Sequence, residues 1–180
     1  MLGAATLPLA ACGTAPEKRA VTAPGDIERL QATLLDMRPD VDPEEAGRAA
    51  SIAFDYTRDL AIQYQITDPP LVHNTKVNMG LKPRGLCWHW AEDMEKRLDA
   101  EGFETLEMHR AIAEGRGFRI DHSTAIISAK GDRYADGVVL DPWREGGRLF
   151  FAPVVEDTRY MWEAREVVLG RRRDLRAVAG

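Results

Sequence analysis

Apolar residues recur at helical spacing in the first half of the chain and at strand spacing in the second. Ile27, Leu30, Leu34 and Met37 stand three or four apart ahead of Pro39, which predicts a short amphipathic helix over 26–37. Ala46, Ala49, Ala50, Ala53, Phe54, Thr57, Leu60, Ala61 and Tyr64 carry the same period to about residue 66, where Asp68, Pro69 and Pro70 end it. This longer helix is introduced by Asp42 as cap, Pro43 at the first helical position and Glu45 three positions after the cap. Residues 71–85 contain Asn74, Asn78, Gly80, Pro83 and Gly85 and read as a loop. A third helix is predicted over 86–100, with Gly102 as its stop signal.

Beyond it the period changes. Residues 105–112, 122–128, 138–141 and 148–154 are short apolar runs rich in Ile, Val and Phe, and Lys130-Gly131-Asp132 makes a turn between two runs. The tail, 163–175, reads as a terminal strand or helix. Its Arg171, Arg172 and Arg173 suit a solvated face or one turned to anionic lipid. Helices followed by antiparallel strands imply an α+β fold, with N-terminal helices and a cysteine-bearing helix packed on the sheet.

Composition narrows the function classes. A length of 180 residues suits one domain, and 44% hydrophobic with 29% charged residues is ordinary for a globular chain. The formal net charge of -5 argues against a nucleic-acid partner, which normally meets a basic footprint. Only Cys12 and Cys87 are present, too few for a stapled scaffold or a four-thiolate zinc site. No histidine pair stands at i, i+4, so no metal site is expected. Gly115-Arg116-Gly117 lacks a following glycine and helix, so it reads as a hairpin or loop beside the active site, and no nucleotide cofactor is expected.

The two cysteines separate by their surroundings. Residues 1–11 carry no charge, and Leu9-Ala10-Ala11-Cys12 resembles a bacterial lipoprotein signal, whose cysteine is lipidated and becomes the N-terminus. The departure is the absence of Lys or Arg ahead of the apolar run. Residues 12–25 are small, charged or proline and suit a flexible tether, leaving 26–180 as one domain. Gly13 after Cys12, where Asp would mark inner-membrane retention, resembles outer-membrane sorting. The resemblance implies a lipid-anchored protein of the cell envelope, at the periplasmic face of the outer membrane.

Cys87 opens the third predicted helix, where unpaired backbone N–H groups and the helix dipole favour a thiolate and can face an oxyanion. Gly85 would let a substrate backbone approach closely. The bland reading is a small buried hydrophobe on the face Cys87, Trp90, Ala91, Met94, Leu98. A nucleophile needs a base. His89, two residues on, points to a different face; His73 lies in the predicted loop; His109 stands mid-strand as surface or core. His122 opens an apolar strand, on the face of Thr124 and Ile126, and is the best candidate. Asp141 closes the next strand, an awkward place for a charge without a partner, and pairing of the strands lets it orient His122. Trp143 would shield that pair from water. Singly, Asp141 is as well read as a turn residue and His122 as a satisfied strand-end histidine; together with Cys87 they form a specific arrangement.

In order and spacing, Gly85-Leu86-Cys87-Trp88-His89-Trp90-Ala91, Asp121-His122-Ser123 and Val139-Leu140-Asp141-Pro142-Trp143 resemble the transglutaminase-like, papain-related cysteine hydrolases and acyltransferases. The resemblance covers residues 72–151. It implies a nucleophile heading a helix packed on an antiparallel sheet that supplies His and Asp. It further implies attack on a peptide, protein or peptidoglycan-type amide, and a second oxyanion donor upstream of the cysteine. Asn78 is the nearest amide for that role, ahead of Asn74 and Lys82, with Trp88 and Trp143 as further substrate-binding candidates. The bland reading of Asn78 is a turn residue. No tryptophan precedes Cys87, which departs from the animal cross-linking enzymes. Two functions of different class follow: a lipid-anchored thiol peptidase, amidase or acyl transferase, or a non-catalytic envelope lipoprotein using the fold as a binding or structural module.

Overall fold

The computed structural model describes residues 15–115, 117 and 120–179. The signal-like run 1–11 and Cys12 lie outside the described residues. Six helices and five strands follow one another: α1 Pro16–Arg19, α2 Asp26–Leu35, α3 Pro43–Gln63, α4 Pro70–Asn78, α5 Cys87–Asp99, β1 Leu106–Ala113, β2 His122–Ala129, β3 Val138–Asp141, β4 Phe150–Pro153, β5 Glu163–Ala164 and α6 Arg165–Ala179. The sheet is antiparallel in the order β4-β3-β2-β1-β5. The α+β expectation holds.

Alternation divides the sheet. Leu106, Ala125, Ile127, Ala129, Val138 and Leu140 join Leu30, Leu34, Ala50, Phe54, Met94 and Leu98 in the core between helices and sheet. Ala111, Ala113, Ile126 and Val139 make the opposite face, covered by Tyr134, Phe150, Val154, Tyr160 and Trp162. Covered on both sides, β2 is buried from His122 to Ala129. A residue at its first position is therefore held by the rigid centre of the molecule.

Four local expectations change. Asp42 caps α3 by accepting from the Glu44 and Glu45 amides, each at 2.9 Å, but Glu45 does not return a bond to the cap. Its carboxylate instead takes the Glu104 and Thr105 amides, both at 2.8 Å, and the Thr105 hydroxyl at 2.6 Å, fastening α3 to the start of β1. Within 12–25, expected to be a tether, Pro16–Arg19 forms a helical turn, because Ala20 is buried against Leu60, Ala61 and Tyr64. Residues 71–85 are not all loop: α4 occupies Pro70–Asn78, started by Pro70 at its first turn. That helix shows no apolar period because polar bonds hold it, chiefly His73 to the Arg84 carbonyl at 2.8 Å and Lys76 to Asp68 at 2.8 Å. The tail, read as strand or helix, is both: β5 runs directly into α6.

Replacing the buried Ile127 by Ala should cost about 2–5 kcal/mol of unfolding free energy, and replacing Val155, which is 80% exposed, should stay within about 0.5 kcal/mol. Urea denaturation of the two variants checks this.

Candidate active site

The turn that delivers Cys87 is fixed from three sides by buried aromatic side chains. His73 bonds the Arg84 carbonyl, Trp90 donates its indole N–H to the Gly85 carbonyl at 3.1 Å, and His89 Nδ1 accepts the Gly85 and Leu86 amides at 3.1 and 3.2 Å. His89 thus ties down the start of α5, a role consistent with its exclusion as base. Burial holds both His73 and His89 below the ordinary imidazole pKa, which keeps them neutral at pH 7. Gly85 sits at φ +119°, and a Cβ there would come within 2.4 Å of His73 Nε2. The glycine therefore makes room for a histidine, and the expected approach of a substrate backbone is corrected.

Cys87 is a free cysteine, and its thiol points to the Asp121 carbonyl at 3.9 Å, one residue before His122. His122 Nε2 lies 2.6 Å from Asp141 Oδ2, and each side chain is 1% exposed. Nε2–H is donated to Asp141, and the opposite ring nitrogen, Nδ1, is buried and makes no hydrogen bond of ordinary geometry among the described residues. Burial opposes a charge on the ring, but the Asp141 carboxylate and the neighbouring Cys87 sulfur outweigh it and raise the His122 pKa to about 9. Cys87, His122 and Asp141 are thus brought together by the start of α5, the start of β2 and the end of β3.

Asp141 is itself held. Its Oδ1 accepts the Arg144 amide at 3.1 Å and its Oδ2 the Arg144 Nε–H at 3.0 Å. The other end of that guanidinium meets both oxygens of Asp157, at 3.0 and 2.6 Å, and Asp157 also accepts the Trp162 indole N–H at 2.9 Å. Burial pushes the Asp141 pKa up, yet the His122 and Arg144 charges prevail and hold it below the ordinary carboxylate value. Trp143 and Tyr160 pack on the His122 ring with centroids 4.6 Å away, and Trp162 does so at 5.4 Å. The shield expected from Trp143 is present, and two further aromatics complete it. Arg144, Asp157, Tyr160 and Trp162 were not legible as site residues; the available signal was an arginine directly after Asp-Pro-Trp.

The oxyanion candidates divide. Asn78 is exposed at the last position of α4 and does not line the cavity beside Cys87, because the amide turned inward from α4 is Asn74. Asn74 accepts the Trp143 indole N–H at 3.0 Å, which commits that N–H. Trp88 stays, half-exposed, on the wall of a cavity of about 390 Å³ that also reaches Cys87, His122, Arg110 and Ser123. Arg165, Leu169 and Arg172 of α6 form part of the same wall. Arg172 meets Asp121 at 2.7 Å and Glu114 at 3.0 Å, and Arg171 meets Glu114 and Glu163, so the expected solvated arginine face is largely an ion-paired one. His109 is satisfied by Ser128 at 2.8 Å. Gly115 donates its amide to Asp121 at 2.9 Å, while Arg116 lies outside the described residues. Among the described residues no cluster of His, Cys, Asp or Glu could hold a metal ion, and no helix is long and apolar enough to cross a membrane.

The charged pair makes stability depend on pH. A His122 pKa raised from 6.5 to about 9 contributes stability that is complete below pH 6.5 and is lost as pH rises through 9. Asp141, depressed, contributes above the ordinary carboxylate range and loses its contribution on acidification. The urea midpoint should therefore fall between pH 7 and 9.5, and His122→Gln should flatten that alkaline slope.

No family model matches the chain, and no curated protein or solved structure matches it.

Proposed function

We propose that this protein is a cysteine hydrolase or acyl transferase with a transglutaminase-like core, acting on an amide or peptide bond through Cys87, His122 and Asp141. The observation that carries the reading is the buried 2.6 Å bond between His122 and Asp141, with the opposite ring nitrogen free to face Cys87. A histidine turned to the sulfur and braced from behind by a carboxylate is the arrangement that activates a nucleophile. The Leu9-Ala10-Ala11-Cys12 tetrapeptide supports an exported, lipid-anchored setting for this activity.

The mechanism follows from the ring's affinity for a proton. With the ring protonated below about pH 9, the Cys87 sulfur attacks the carbonyl carbon as a thiolate paired with the His122 imidazolium, which Asp141 and Arg144 hold in place. Collapse of the tetrahedral adduct breaks the C–N bond, and the imidazolium gives its proton to the departing amine. Water or a second amine then attacks the thioester while the neutral ring accepts its proton, and breaking of the C–S bond returns Cys87 as a thiolate beside the imidazolium. Backbone N–H groups at the start of α5 are the donors nearest the forming oxyanion, since Trp143 and Asn74 are bonded to each other.

A thiol-directed acylating probe should label the wild type at Cys87, and Cys87→Ala should abolish labelling with an unchanged circular dichroism spectrum. Absence of labelling in the wild type would refute the mechanism and favour a binding module. His122→Ala should slow acylation about 10²–10⁴-fold, read by stopped-flow with an activated ester. The leaving-amine step should weaken above pH 9, where His122 loses its proton; an amide substrate should therefore show an alkaline limb that an ester lacks.

A further inference from the structure

Charge on the cavity wall beside Cys87 is unevenly compensated. The two wall carboxylates have cations of their own: Asp121 meets Arg172 at 2.7 Å, and Glu92 meets Lys96 at 2.9 Å. Of the three wall arginines, Arg165 makes no ion pair among the described residues and stands exposed on the rim. Arg110 is the opposite kind of residue. Its side chain is 9% exposed and is clamped by Glu95 at 3.2 Å, by the Trp88 carbonyl at 3.2 Å and by the Ser123 hydroxyl at 3.4 Å. Trp88 follows the cysteine and Ser123 follows the histidine, so Arg110 spans the two elements that carry the nucleophile and base. Its Nε is nevertheless buried without a hydrogen-bond partner, so the guanidinium has donor capacity unused by the protein.

Taken with the cysteine reading above, on which this inference rests, we infer that the cavity selects acyl substrates bearing a carboxylate near the scissile carbonyl, held by Arg110 and Arg165. A planar carboxylate fits a guanidinium in a paired geometry, and a clamped arginine gives up little freedom on binding it. In a chain of net charge -5, a cavity wall whose one cation without an ion pair among the described residues is Arg165 favours such a ligand over a neutral one. Trp88 and Ile112 supply apolar wall for the rest of the acyl group.

The probes are iodoacetate and iodoacetamide, which deliver the same carbon to sulfur and differ in the carboxylate. On the purified chain, with each rate divided by that of the same reagent on a free small thiol, Cys87 should be alkylated by iodoacetate roughly tenfold faster than by iodoacetamide, the scale of one charge-assisted hydrogen bond. That ratio should fall about as much in Arg165→Gln, an exposed change that spares the fold, and in Arg110→Gln, with Arg110→Lys retaining part of it. Succinate should protect Cys87 from iodoacetamide better than inorganic phosphate at equal ionic strength. A wild-type ratio at or below one, a ratio unmoved in both Gln variants, or protection by phosphate equal to or better than by succinate overturns the carboxylate proposal while leaving the nucleophile intact. If neither reagent alkylates Cys87, both readings fall together.

Discussion

The structure depends on a buried line of alternating charge: His122, Asp141, Arg144 and Asp157. Burying one of these groups alone would cost several kcal/mol, and the attraction within any single pair rarely repays two such costs. Four in alternation leave no net charge when His122 is protonated. Asp141 is saturated by a ring N–H, a guanidinium N–H and a backbone amide, and Asp157 by the guanidinium and an indole N–H. A neutral His122 would leave the line one negative charge in excess, which is the physical reason the ring holds its proton to about pH 9. The aromatic surround of Trp143, Tyr160 and Trp162 keeps water from competing and strengthens each of these bonds.

Cys87 is placed by a different device. α5 begins without a side-chain cap from Leu86, so the chain ahead of it has to be fixed by other groups. His73, His89 and Trp90 do so through backbone atoms of residues 84–86, and Gly85 accepts a left-handed φ that brings His73 into contact. Tyr64 extends the same cluster: it stacks edge-on against Trp90 at 4.8 Å and donates its hydroxyl to Asp93, which Arg84 also bonds at 2.9 Å. Cys87 is thus referred to α3 and α4, and His122 to the sheet. Their meeting depends on α5 lying against β1 and β2 through Met94 and Leu98.

What was legible in the sequence follows from which forces are local. β2 and β3 were readable because a central strand buried on both faces must be apolar, and His122 and Asp141 stood out as polar residues at the ends of such runs. α4 was not readable because its exposed Leu71 and Val72 make no stripe and its anchors, His73 and Asn74, bond to residues 11 and 69 positions away. Asn78 is the amide nearest Cys87 along the chain, but a helix turns Asn74 inward and leaves Asn78 at its exposed end. Glu45 has the spacing of a capping box, yet the amides of Glu104 and Thr105 offered its carboxylate better partners. Asp157 carries no pattern at all, because its role exists only once Arg144 has been buried beside it.

The cavity and the charge line rest on forces of different robustness. Every partner of Asp141 is buried, so salt barely screens them. The α6 wall is held by Val168 and by pairs such as Arg171–Glu114, whose side chains are 40% and 38% exposed. Exposed pairs of that kind contribute about 0–1 kcal/mol each and weaken as ionic strength rises. The geometry of His122, Asp141 and Arg144 is therefore set by the core, whereas the α6 wall of the cavity is set at the surface. Substitutions in α6, on residues such as Arg165 and Leu169, would therefore alter the cavity wall while leaving the buried contacts among His122, Asp141 and Arg144 in place.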